Sequence, residues 1–137
     1  ATVAEAKELR GKLHGHHIKN LFLRDRKRRF FLVTVPEDRV LDLKALREPL
    51  GAKGTLSFAT HEHLKDVLGL LPGAVTPFAV LNDTDNQVTL VLDPALQGEG
   101  AVFCHPLHNA ASVGLSGDAL VTFVVACDHP PIWLLPA

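Results

Sequence analysis

The chain has 137 residues, 47% of them hydrophobic and 21% charged, with 14 basic and 15 acidic side chains and a formal net charge of −1. That composition excludes wholesale disorder, the length suits one domain with its own core, and no apolar run is long enough for a membrane helix. The near-neutral total hides a bipolar chain: residues 1–53 hold 13 basic and 7 acidic side chains, and residues 54–137 hold 1 and 8. This asymmetry points to an anionic partner for the N-terminal half.

Thr2-Val3-Ala4-Glu5 has the form of a capping box, so a short charged helix is expected to about Arg10, with Gly11 past its end. A secretory leader does not look like this, and Cys104 and Cys127 make no disulfide framework, so a reducing, cytoplasmic setting is expected. Ile18–Leu23 and Phe30–Val35 read as two strands of a hairpin turning through Arg24–Arg29. Asp42 is placed to cap a helix with Leu43, Leu46 and Leu50 on one face and Gly51 beyond it. Thr60 is placed to cap a second, with Leu64, Val67 and Leu68 inward and Gly69 closing it.

Leu70–Pro77, with two prolines and a glycine, reads as a loop. Phe78–Asn82 and Gln87–Leu92 flank the turn chemistry of Asp83-Thr84-Asp85-Asn86 and read as a second hairpin. Ala101–His105 and Ala111–Leu115 are expected as short strands, Ser116 as the cap of a helix through Ala126, and Ile132–Leu135 as a last strand. Hairpins mixed with helices imply an α/β domain, a mixed sheet packed by helices, with no internal repeat or linker.

The turn Arg24–Arg29 has five cations in six residues. It is either a solvated tip or a clamp for nucleic-acid phosphates, and no aromatic residue interleaves to make a stacking platform. The groups His14, His16 and His17, His61 and His63, and Cys104, His105 and His108 lack the spacing of a zinc site. No nucleophile elbow or phosphate-binding glycine loop is present. The stretch Gly73-Ala74-Val75-Thr76-Pro77 is a stiff loop that either simply connects its neighbours or aims backbone amides at a carbonyl. Lys19 and Asn20 are polar intrusions in an apolar strand, so Lys19 either reaches solvent or serves a site.

Five segments occur in order: Lys19-Asn20-Leu21-Phe22-Leu23, Val33-Thr34-Val35-Pro36-Glu37-Asp38, Gly73–Phe78, Asn82-Asp83 and His105-Pro106-Leu107-His108-Asn109. Together they resemble the prolyl-tRNA synthetase-associated editing domain family, and the likeness spans about residues 2–135. The resemblance implies one α/β domain over residues 1–137, with a mixed, partly barrel-like sheet surrounded by helices. The resemblance also implies a helix and strand ahead of the segment matching Thr2, so the sequence is expected to lack an N-terminal segment of the family.

The activity implied is hydrolysis of the ester joining a wrong amino acid to tRNA, with the free-standing branch acting on alanine attached to proline tRNA. No metal or organic cofactor is implied. Lys19, Asn20, Gly73 and His105 are then the expected catalytic positions. Ala74, Val75, Thr76 and Pro77 are expected to shape the aminoacyl pocket, and Arg26 and Lys27 to grip the tRNA. The expected partners are tRNA(Pro) and prolyl-tRNA synthetase, not DNA or a membrane. The alternatives are a non-catalytic tRNA- or synthetase-binding module of the same fold, or a small hydrolase with histidine-bound metal.

Overall fold

The computed structural model describes residues 16–70, 75–98, 100–104 and 113–134. Strands β1 (His16–Arg24) and β2 (Phe30–Pro36) form the expected antiparallel hairpin, in register from Ile18 opposite Pro36 to Arg24 opposite Phe30. Helix α1 (Leu43–Leu50) starts where Asp42 accepts the Lys44 N–H, and it ends at Gly51, whose φ of 64° suits a residue without Cβ. A two-residue strand, β3 (Ser57–Phe58), follows; it is too short to show an alternation in sequence.

Helix α2 begins as one turn, His61–His63, and widens into a π-helix over Leu64–Leu68. The Thr60 hydroxyl accepts the His63 N–H while His63 Nδ1 accepts the Thr60 N–H, a capping box closed by histidine. Leu64 and Leu68 are buried and Gly69 closes the element, as expected.

The second hairpin does not form. Phe78–Asn82 belongs to a 3₁₀ helix, Pro77–Asn82, in which Thr76 accepts the Phe78 N–H and Pro77 supplies a fixed φ at the first position. The apolar, β-branched look of Phe78–Leu81 is overridden by that cap. β4 (Val88–Leu92) pairs instead in parallel with β2, Phe30 opposite Val88 through Thr34 opposite Leu92. A short 3₁₀ turn, Pro94–Leu96, leads to β5 (Ala101–Cys104), which pairs antiparallel with β6 (Val113–Ser116). Ser116 caps α3 (Gly117–Ala126) by accepting the Ala119 N–H, and β7 (Ile132–Trp133) lies parallel to β4. The expected helix at Thr2–Arg10, residues Leu71–Ala74, and the expected strand residues His105, Ala111 and Ser112 lie outside the described residues.

The outcome is the expected single α/β domain. The sheet runs as an open path, β6-β5-β1-β2-β4-β7, with β3 also on β1. Among the described residues it does not close into a barrel. α1 covers one face, where Leu46 and Leu50 meet Leu23, Phe31, Val33, Val35 and Val91. α2, the Pro77–Asn82 helix and α3 cover the other, where Leu64, Leu68, Val80, Leu120 and Val124 meet Phe22, Phe30, Leu32, Leu90 and Leu92. β2 and β4 are therefore apolar on both faces, which is what a central parallel pair requires. Each such leucine contributes about 2 kcal/mol of burial. The two clusters, rather than the short helices, hold the sheet together. Helix α3 sits so close to the 94–96 turn that a Cβ at Gly117 would lie 1.6 Å from the Leu96 carbonyl oxygen.

Candidate active site

β1 has two different neighbours along its outer edge. β5 pairs with His16 and His17, and β3 pairs with Leu23 and Arg24. Between them, among the described residues, no strand takes the edge of Ile18–Phe22, although Ala59 donates its N–H to the Phe22 carbonyl at 2.9 Å. A groove of about 170 Å³ opens at this gap, lined by Asn20, Phe22, Phe58, Thr60, His61 and Val75 among others.

Asn20 organises the gap. The buried Thr34 hydroxyl, opposite it on β2, donates to Asn20 Oδ1 at 2.6 Å, and the Val75 carbonyl, which can only accept, fixes which end of the amide carries nitrogen. Asn20 Nδ2 then donates to the Val75 carbonyl at 3.1 Å. The bond ties the exit of the 73–77 loop to the sheet across 55 residues of chain. Among the described residues, one amide N–H and one oxygen lone pair of Asn20 stay unspent in the groove it lines.

The expected site residues are thus partly gathered. Val75 lines the groove with Asn20. Thr76 and Pro77 are buried and act as cap and first residue of the 3₁₀ helix, so they hold Val75 in place. Gly73, Ala74 and His105 lie outside the described residues. Lys19 is half-buried and pairs with Val35, and the unbroken pleat puts its side chain on the face opposite Asn20. Lys19 and Asn20 therefore flank the same open edge from two sides.

The basic turn is a built structure rather than a loose tip. Asp25 is buried, and its carboxylate accepts the N–H groups of Lys27 and Arg29 on Oδ1 and of Lys53 on Oδ2, plus the Arg29 Nε at 3.1 Å. Burial pushes the Asp25 carboxyl up, but these donors outweigh it and hold its pKa below the ordinary 3.8. Arg29 also donates to the Gly51 carbonyl and lies over the Phe31 ring at 5.5 Å. Arg26 donates its N–H to the Lys53 carbonyl and lays its stem on Gly54, where a Cβ would meet Arg26 Cδ at 2.4 Å. Arg24, Arg26 and Arg28 line a second groove of about 260 Å³ with Asp25, Thr55 and Ser57. Lys27 is exposed at the tip.

Of the histidines weighed as metal ligands, His63 is committed to its cap and to an edge contact with Phe30, centroids 5.4 Å apart. His61 is exposed and lines the first groove. Among the described residues no three His, Cys, Asp or Glu side chains converge on a point. Sequence reading missed His61 as a groove residue and Phe58 altogether, and it placed Thr34 in a family segment without a role at the site.

The aminoacyl-tRNA editing domain family matches residues 1–123 of this sequence. The chain belongs to that family. Members of this editing-domain family are aminoacyl-tRNA deacylases, hydrolases of the ester between amino acid and tRNA. A prolyl-tRNA synthetase associated domain-containing protein 1 from Danio rerio is 42% identical over 124 residues, 89% of this chain and 67% of the relative. A prolyl-tRNA editing protein from Acetoanaerobium sticklandii is 44% identical over 110 residues, 80% of this chain and 66% of the relative. The chain thus spans about two thirds of the length of these relatives. A crystal structure described as a candidate trans-editing enzyme for prolyl tRNA synthetase shares the fold, with a TM-score of 0.70 at 22% identity, covering 97% of this chain and 78% of the other. No helix among the described residues is long and apolar enough to cross a membrane.

Proposed function

We propose that this editing domain hydrolyses mischarged tRNA(Pro) in trans, with alanine as the amino acid removed. The supporting observation is the Asn20 bridge: a strand amide, oriented by Thr34, holds the Val75 end of the 73–77 loop at the open edge of β1. The groove so formed has an apolar wall from Phe22 and Leu64 and a polar one from Asn20, Thr60 and His61. The relatives named for prolyl-tRNA editing direct the choice of tRNA.

The terminal ribose lies across the open edge in this reading. Asn20 approaches it from one face, and Lys19 reaches its phosphate from the other. The 73–77 loop, with Gly73 and Ala74 leading into Val75, meets the aminoacyl group, and His105 stands as a further hydrogen-bonding group of the pocket. Arg26 and Lys27 attract the RNA backbone. Water adds to the ester carbonyl carbon, the bond to the ribose oxygen breaks, and the proton released from the water ends on that oxygen. The products are free alanine and uncharged tRNA. An activated ester needs only a placed water and a polarised carbonyl, so a triad or metal is not required by the chemistry.

Such a site answers a physical need. A synthetase pocket built for proline gains only roughly 1–3 kcal/mol against a smaller side chain, and a second site that admits the small acid and excludes the ring supplies the missing discrimination. The mischarged substrate then comes from prolyl-tRNA synthetase in the same compartment, the cytoplasm. The test is hydrolysis of alanyl-, cysteinyl- and prolyl-charged tRNA(Pro). Alanyl ester should disappear well above the buffer rate and prolyl ester should be spared, with Lys19→Ala slowing the first sharply. No hydrolysis of any of the three above buffer would refute the proposal in favour of a binding module.

A further inference from the structure

We propose that Phe58 and the cationic groove beside it form a second contact for the substrate RNA, in which the ring stacks on an unpaired base next to the esterified nucleotide. Arg24, Arg28, Thr55 and Ser57 hold the phosphate that follows. This rests on the deacylase reading above and names residues that reading does not use.

The adjacency of the two grooves comes from two strands at once. On β3, Phe58 lines the groove of Asn20 and Val75 while its neighbour Ser57 lines the cationic one. On β1, Phe22 lines the first and Arg24 the second. Consecutive strand residues are about 3.3 Å apart and point to opposite faces, so Phe58 shares the face of Leu23 and Ser57 that of Arg24. Among the described residues β3 pairs with β1 alone, and a single strand of RNA crossing its free edge passes from the ring to the cationic groove.

The chemistry of each part fits that occupant. Phe58 is 60% exposed, whereas Phe22, Phe30 and Phe31 are buried, and among the described residues it has no aromatic partner. An exposed ring beside a row of cations binds any base by its face and so fixes register without reading sequence. In the cationic groove the only acid among the lining residues, Asp25, already accepts four donors. The positive charge of Arg24, Arg26 and Arg28 is therefore left for a ligand. Arg28 sits at φ 60°, a conformation that opposes any side chain with a Cβ, yet an arginine occupies it. The hydroxyls of Thr55 and Ser57 add donors suited to phosphate oxygens.

The experiment compares binding of uncharged tRNA with intact and with trimmed 3′-unpaired nucleotides, so that hydrolysis plays no part. Phe58→Ala should weaken the intact tRNA by roughly tenfold and leave the trimmed one unchanged, while Phe58→Trp should keep the difference between them. Arg28→Ala should weaken both and lower the salt slope of binding by a little under one. Wild-type affinity of Phe58→Ala for intact tRNA, or an equal loss on trimmed tRNA, would overturn the proposal. If these binding effects appear but no charged tRNA is hydrolysed, the deacylase reading fails and the RNA contact stands.

Discussion

Two turns in this molecule are built on the same device and serve opposite ends. In the turn after β1, Asp25 gathers three backbone N–H groups and the Arg29 guanidinium. In the turn before β4, Asp83 accepts the N–H groups of Gln87 and Val88 and the Nε2 of His129 at 2.8 Å, while His129 Nδ1 meets the Cys127 carbonyl at 2.6 Å. The partner decides the outcome. Arg29 is half-exposed and leaves its turn at the surface, with cations arrayed around it, whereas the Asp83 and His129 side chains are both 1% exposed and seal the 3₁₀ helix and the end of α3 together. A buried aspartate thus fixes a turn in both places, but only the first turn is free to meet a ligand.

The sealed pair gives the largest expected effect. His129→Ala leaves the buried Asp83 carboxylate without its Nε2 hydrogen-bond partner and should cost about 3 kcal/mol of unfolding free energy, read as a lower urea midpoint. Asp25→Asn should cost less, about 1–2 kcal/mol, because its donors lie nearer to water. The pH dependence separates the variant from wild type. The Asp25 pKa is lowered in the fold, so its contribution is complete above the ordinary value of 3.8 and is lost as the pH falls through and below it. Asp25→Asn should flatten that acid limb, and an unchanged limb would show that the carboxylate adds nothing as an anion. The smallest effect runs the other way. Arg28→Gly relieves the positive φ and should raise stability by about 0.5–1 kcal/mol while weakening tRNA binding. A melting curve and a binding curve on one preparation check both halves.

The same contrast explains what could be read from sequence. The β1–β2 hairpin, the Asp42–Gly51 helix and the Ser116 cap are local devices, and each is where its residues imply. Asp83 also makes its turn as expected, but a turn does not say what it joins. Phe78–Asn82 has strand-like composition, and the signal against a strand is the Thr76–Pro77 cap ahead of it. The parallel pairing of β2 with β4 rests on burial of both faces, which no window of sequence displays.

The candidate site divides in the same way. Asn20 stands out as a polar residue in an apolar strand, but its partners Thr34 and Val75 are 14 and 55 residues away. Phe58, absent from the basic turn in sequence, is delivered beside it by a strand of two residues. Five of the 13 basic side chains of residues 1–53 sit in the braced turn, and three of these, Arg24, Arg26 and Arg28, line one groove.

The account turns on the Asn20 bridge, and single-turnover hydrolysis of alanyl-tRNA(Pro) by Asn20→Ala tests it most directly. With the loop released from β1, the rate should fall on the order of 100-fold, while far-ultraviolet circular dichroism still reports the folded sheet. A folded variant that hydrolyses the ester at the wild-type rate would contradict the assignment of this edge as the site of reaction.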